Sequence, residues 1–247
     1  MKYTEKQIEN LLQGIYAGTI DVNSLPIDLY NAVSKYLISG LDVIEGKVSK
    51  SLLSELIGNL KYFSGAKVYR QISEMTILKN DEEIKSFKEF KDEALKIYDQ
   101  YNVNWMRTEY DTTIGQAQMI ERWSQIEEQK STLPYLQYSA VIDNNTSEIC
   151  EPLDGICLPV DDSFWDTNSP LNHFNCRCSL EQLNEFDAKV TEQSKADEVS
   201  KQMNEERQPL FNSNPYRDKA IFDDKHPYFD LDKDGQKSVN KLIEDGE

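Results

Sequence analysis

A chain of 247 residues, 38% hydrophobic and 29% charged, is long enough for one domain or two and carries enough apolar material for a folded core. Its 27 Lys and Arg stand against 44 Asp and Glu, and the formal charge of -17 repels nucleic acid phosphate over most of the surface, leaving only a local basic patch for any contact with DNA. No run approaches the roughly 18 uninterrupted apolar residues of a membrane span, and the start MKYTEKQIENLLQGIY lacks the basic and apolar regions of a signal peptide, so synthesis in the cytoplasm and no membrane partner are expected.

Thr4 with Gln7 forms a capping box, after which Ile8, Leu11, Leu12 and Ile15 share one helical face until Gly18. Leu25-Pro26 puts proline where a second helix can begin, and Leu29, Val33, Tyr36 and Leu37 continue the stripe before Gly40. Leu52, Leu53, Leu56, Ile57 and Leu60 mark a third helix. Residues 66–78 extend it less securely, because Val68, Ile72 and Ile77 are β-branched. Asn80 with Glu83 reads as the cap of a helix carried by Phe87, Phe90, Ala94 and Ile97. Residues 105–130 then show two apolar stripes, Met106, Tyr110, Ile114 and Ala117 against Met119, Trp123 and Ile126, as expected of a long helix buried on two faces.

The period changes at Pro134. Residues 135–142 read as a strand ended by Asp143-Asn144-Asn145, and 156–160 and 177–180 as two shorter strands. Beyond Leu183 the chain turns polar. Residues 187–208 predict an exposed helix or an arm ordered on a partner, and the aromatics scattered over 209–229 predict an extended tail that docks through them. The expected fold class is α+β, predominantly α-helical with a small β-containing Cys/His module. The expected divisions are a helical region 1–104, a module 105–183 of long helix plus small α+β unit, and a polar, acidic arm or tail 184–247.

All four cysteines lie between Cys150 and Cys178, a spacing that suits metal ligation or reduced thiols better than a secreted disulfide framework. His173, Cys176 and Cys178 fall within six positions and can converge on one ion. Cys150, just before the Leu153-Asp154-Gly155 turn, completes a tetrahedral set, so the predicted metal ligands are Cys150, His173, Cys176 and Cys178, and the predicted cofactor is a structural zinc. Cys157, in an apolar strand, reads as a buried thiol. A metal-free cluster with His173 donating to a backbone carbonyl is the plain alternative. A metal-dependent or thiol hydrolase built from a cysteine, His173 and Asp143, Asp154 or Asp162 is the enzymatic one, although no nucleophile motif surrounds any cysteine. Residues 134–183 hold eight acidic residues and one basic residue, Arg177, which is expected to pair with a neighbouring carboxylate and order the loops. Phe164-Trp165 reads as core. Asp230-Leu231-Asp232-Lys233-Asp234-Gly235 copies the opening of a calcium loop, but Lys241 stands where a bidentate Glu belongs, which favours a solvated acidic turn.

Thr108-Glu109-Tyr110, Ala117-Gln118-Met119, Trp123, Pro134-Tyr135-Leu136-Gln137-Tyr138, Leu153-Asp154-Gly155, Pro159-Val160-Asp161-Asp162, Phe164-Trp165-Asp166-Thr167 and Asn175-Cys176-Arg177-Cys178, in that order, resemble the minor head proteins of tailed bacteriophages. This is the Mu F-like, or SPP1 gp7-like, head morphogenesis family, and the resemblance covers about residues 100–185. Ser169-Pro170-Leu171-Asn172-His173 departs from the Pro-Pro pair usual in the family. The resemblance implies a structural minor capsid or head morphogenesis protein rather than an enzyme, made in the host cytoplasm and built into the virion in several copies. It also implies portal or major capsid subunits as partners and a link to packaged DNA that does not run through a broad basic surface.

Overall fold

Thr4 opens helix α1 (Glu5–Ala17) with the capping box read from the sequence, accepting from the Gln7 N–H at 3.3 Å while the Gln7 side chain accepts from the Thr4 N–H at 3.0 Å. Leu11, Leu12 and Ile15 are buried, and the helix stops at Gly18, whose φ of 80° suits a residue without Cβ. The computed structural model describes residues 3–79 and 86–246, and within them the protein is predominantly helical with one small sheet. Helix α2 (Ile27–Ile38) begins behind Pro26 and buries Leu29, Val33 and Leu37; a 3-10 turn (Ser39–Ile44) follows. Helix α3 (Lys50–Lys79) joins the third run and residues 66–78 in a single 30-residue element. Val68 and Ile72 are fully buried, and that burial outweighs the small helix penalty of β-branching.

The cap of helix α4 (Phe87–Asp99) is Ser86, whose side chain and that of Glu89 form the box. Asn80 and Glu83, read as this cap in the sequence, lie outside the described residues. A π-helical turn (Gln100–Trp105) leads into helix α5 (Met106–Gln129). Strand β1 (Tyr135–Ser139) is the centre of a three-stranded antiparallel sheet in the order β2-β1-β3, between β2 (Cys157–Pro159) and β3 (Ser179–Leu183). Helix α6 (Phe164–Asn168) is the Phe-Trp-Asp-Thr segment.

The C-terminal residues are not an extended tail. They form α7 (Gln193–Glu206), α8 (Pro215–Asp218) and α9 (Lys233–Asp245), and Met203, Phe211, Phe222, Tyr228, Val239 and Leu242 are buried against the protein's own chain. The short helices α8 and the 3-10 turns around it have no room for a hydrophobic period, so their burial is invisible to pattern reading. The Asp230–Gly235 motif is a helix start: Asp232 accepts from the Gly235 N–H at 2.7 Å as the N-cap of α9.

The chain forms two compact units. One comprises the residues up to Asp42, Ile57–Tyr110 and those from Pro227 onward; the other comprises Val43–Leu56 and Asp111–His226. Inside the first, Lys67 and Glu109 form an ion pair at 2.5 Å with side chains 0% and 6% exposed, and the Tyr228 hydroxyl donates to Glu109 at 3.0 Å. In the second, Met119, Trp123 and Ile126 of α5 pack with Leu136 and Tyr138 of β1, Leu158, Trp165, Leu180 and Met203 in one core. Trp123 and Trp165 are both fully buried, and each satisfies its indole N–H, on Ser169 Oγ at 2.8 Å and the Pro159 carbonyl at 2.9 Å.

Candidate metal centre

The second unit brings distant cysteines together with three local devices. Strand β1 alternates, so Leu136 and Tyr138 both face inward, and the Tyr138 ring becomes the floor of the site. Next, the chain turns back at 147–153, where the Cys150 and Glu151 N–H groups both donate to the Ser147 carbonyl at 2.9 and 3.0 Å. This places Cys150, 1% exposed, under Tyr138, whose hydroxyl donates to Cys150 Sγ at 3.5 Å. The third device is a turn closed by the Cys176 N–H on the His173 carbonyl at 3.2 Å. Asn175 takes φ 60° there, a conformation that Asn tolerates better than most residues. Gly115 of α5 faces this loop, and a Cβ there would lie 2.7 Å from the tip of the Leu171 side chain.

Cys150, His173 and Cys176 therefore present ligand atoms that all lie within 4.8 Å of one another. The Cys150 and Cys176 sulfurs are 3.7 Å apart, close to the edge of about 3.8 Å that follows for a tetrahedron with metal–sulfur bonds of ~2.3 Å. His173 directs Nδ1 at the Phe174 carbonyl, 2.8 Å away, and donation there leaves Nε2 as the lone-pair nitrogen that a metal needs. Cys178 lies two residues on from Cys176 but is not part of this mutual 4.8 Å group. Two sulfurs and one imidazole, with a further cysteine nearby in sequence, are donors of the kind a closed zinc site uses, so the residues fit that ion.

Electrostatics single out Cys176. The hydrogen bond it shares with Cys150, 3.7 Å away, pulls the Cys176 thiol below the ordinary range against burial and pushes Cys150 above it.

Cys157 lies in β2 away from this group, fully buried, and burial pushes its thiol up, as a structural cysteine should behave. Arg177 meets Asp143 in a fork at 2.8 and 2.7 Å, tying the 143–146 turn to the Cys176–Cys178 segment, and it holds the Asp143 carboxyl down to about 2. The three carboxylates considered as partners for a catalytic histidine are engaged elsewhere: Asp143 with Arg177, Asp154 with the Ala140 N–H at 2.9 Å, and Asp162 with the Phe164 N–H at 2.8 Å.

Residues 67–181 match the family model described as Phage Mu protein F like protein. That segment is similar to the Mu F-like proteins. Over 83 residues the chain is 36% identical to the putative capsid assembly protein F of Escherichia phage Mu, covering 34% of this chain and 17% of that protein. Over 81 residues it is 33% identical to the Mu-like prophage FluMu F protein of Haemophilus influenzae, covering 33% of this chain and 19% of that one. The match thus spans less than a fifth of either relative, 17% and 19%. No solved structure matches the chain. The matched segment contains the whole Cys150–Cys178 stretch and both members of the Lys67–Glu109 pair.

Two charged residues at the heart of the units carried no signal in the sequence. Lys67 sits in an unremarkable helical pattern, and its partner is 42 positions away. Arg207 lies in the polar stretch after Leu183 yet is 3% exposed. A cluster of asparagines around it, Asn204, Asn212 and Asn214, is the one compositional hint, because buried amides gather where a buried cation needs acceptors.

Proposed function

We propose that this protein is a structural minor capsid or head morphogenesis protein of a tailed bacteriophage. The observation that carries the reading is the match of residues 67–181 to the Mu F-like family model, with 36% identity over 83 residues to a relative named as a putative capsid assembly protein. Its work is binding: residues 1–104 and 184–247 engage portal or major capsid subunits, and the module 105–183 holds its shape through a zinc on Cys150, His173, Cys176 and Cys178. The zinc supplies a crosslink among loops that have little regular structure of their own, and His173 and the thiols hold it without an open position for substrate. A formal charge of -17 suits contact with protein subunits better than with packaged DNA.

Mass spectrometry of purified proheads and virions tests the placement. The protein is expected in both as several copies per particle, and its absence from both overturns the reading. Elemental analysis with Cys176→Ser and His173→Ala tests the brace. Loss of zinc accompanied by loss of the module's cooperative unfolding is expected. A hydrolytic activity that disappears while the fold stays intact would point instead to an enzyme.

A further inference from the structure

Arg207 ends α7 and is buried, 3% exposed, with neutral acceptors on every side. Nε donates to Asn212 Oδ1 at 2.5 Å, Nη1 to Asn172 Oδ1, and Nη2 to Asn204 Oδ1 at 2.6 Å and Asn168 Oδ1 at 3.3 Å. Among the described residues no carboxylate forms an ion pair with it. Four amide oxygens take four of the guanidinium's five N–H groups but do not match its charge, and a buried cation without a counter-charge is strongly disfavoured.

The missing charge lies along a hydrogen-bonded chain. Asn172, which accepts from Arg207, donates through Nδ2 to the Tyr138 hydroxyl at 2.8 Å, and that hydroxyl donates in turn to Cys150 Sγ at 3.5 Å. Each link has one direction. Arg207 can only donate, so Asn172 must present its oxygen to it and its NH2 to Tyr138, and Tyr138 is left to point its proton at sulfur. Burial lowers Arg207 to about 10, and Tyr138, Cys150 and Cys176 oppose that fall, so it stays charged at neutral pH.

We propose that Arg207 is the counter-cation of the metal centre and that the Arg207–Asn172–Tyr138 chain positions Cys150 as a metal-binding thiolate. This rests on the reading of Cys150, His173, Cys176 and Cys178 as that centre. A divalent ion held by three thiolates and one neutral imidazole has a net charge of minus one, which Arg207 balances. A set with only two thiolates is neutral and leaves Arg207 uncompensated. The charge of one buried arginine thus selects Cys178 as the third sulfur and favours a thiophilic divalent ion, zinc, over a hard cation. Arg207 is a positioning residue, since it acts on the ligands through Asn172 and Tyr138.

The test uses the full chain as wild type, Arg207→Met, Arg207→Lys and Tyr138→Phe. Zinc content is read by elemental analysis, zinc affinity by competition with a chromophoric chelator, and thiolate number by the sulfur-to-metal charge-transfer absorption after cobalt substitution. The wild type is expected to hold one zinc and to show three thiolates. Arg207→Met should weaken zinc binding roughly 10–100-fold, the usual cost of removing a group that supports a metal ligand. Arg207→Lys keeps the charge and loses the planar fork, so it should recover most of the affinity, whereas a merely structural role would leave both variants equally impaired. Tyr138→Phe should weaken zinc binding and alter the charge-transfer band with the circular dichroism of the fold retained, which keeps the proposal testable if Arg207→Met does not fold. A zinc-loaded wild type with an Arg207→Met variant of equal affinity, or with Lys and Met variants equally weak, overturns the role of Arg207 and leaves the metal centre standing. A wild type that binds no zinc overturns both.

Discussion

Replacing Glu109 with Gln should be among the most damaging single substitutions in the first unit, although it changes only one atom's identity. Lys67 Nζ lies 2.5 Å from Glu109 Oε2, and the side chains are 0% and 6% exposed. The ammonium also lies 5.7 and 5.6 Å from the Tyr101 and Tyr228 ring centroids. Burial pulls both groups toward their neutral forms, Lys67 downward and Glu109 upward, and each is opposed by the other's charge. Glu109→Gln removes that opposition and leaves an ammonium in a dry site, a change that costs about 3–5 kcal/mol. At about 2–4 °C per kcal/mol for a chain of this size, the expected fall in Tm is roughly 6–20 °C. Thermal and urea unfolding followed by circular dichroism measure it. The double substitution Lys67→Met with Glu109→Leu removes both charges, so it should be more stable than either single variant. A Glu109→Gln variant within about 1 kcal/mol of wild type, or a double variant as poor as the sum of the singles, would mean that the pair is not desolvated.

Asp143 is ionised down to about 2 by its fork with Arg177, so the stabilisation it gives is fully present above the ordinary carboxylate value of 3.8 and is lost as pH falls through about 2. Asp143→Asn should abolish that segment of the stability profile, which acid titration followed by NMR will show. Cys157→Ala should leave zinc content unchanged and cost about 1 kcal/mol in urea unfolding, the price of one buried sulfur; lost zinc would refute its assignment as a plain core thiol. Asp232→Ala should destabilise the protein by about 0.5–2 kcal/mol through loss of the α9 cap. Millimolar calcium should leave the wild-type Tm unchanged, and a calcium-dependent rise would restore the ion-binding reading of residues 230–235.

What could be read in the sequence was local. The α1 box, the α2 start at Pro26 and the three strand segments depend on neighbours within a few residues, and each stands close to where the pattern places it. His173 and Cys176 are brought together by one turn, so spacing alone pointed to them. Residues 66–78, read as the less secure extension of the third helix, are helical because propensity is worth tenths of a kcal/mol while the burial of Val68 and Ile72 is worth far more. The acidic run at 230–235 was ambiguous because a cap and a calcium loop both begin with a carboxylate. Val239 and Leu242, spaced as one face of the following helix, are the residues that separate the two readings. Lys67 and Arg207 were invisible, since a cation's burial is decided by partners far along the chain.

Those two cations also bear on where the folded protein ends. The Mu F-like match stops at residue 181, yet residues beyond it complete both units. Tyr228 donates to Glu109 in the first, and in the second Arg207 supplies charge behind Tyr138 and Cys150 while Met203 fills the core around Trp123 and Trp165. The edge of β2 is closed by the same stretch, where the Thr191 N–H donates to the Cys157 carbonyl at 2.8 Å. A chain cut after Leu183 therefore exposes the Trp123 and Trp165 core and leaves Glu109, Asn172 and an open strand edge short of partners, each a cost of about 1–3 kcal/mol against a total stability of only ~5–15 kcal/mol. Such a truncation is expected to lose its near-ultraviolet circular dichroism and to bind a hydrophobic dye while keeping much of its helix. A truncated chain that unfolds cooperatively at the wild-type Tm would show instead that residues 184–246 are an appendage to the two units.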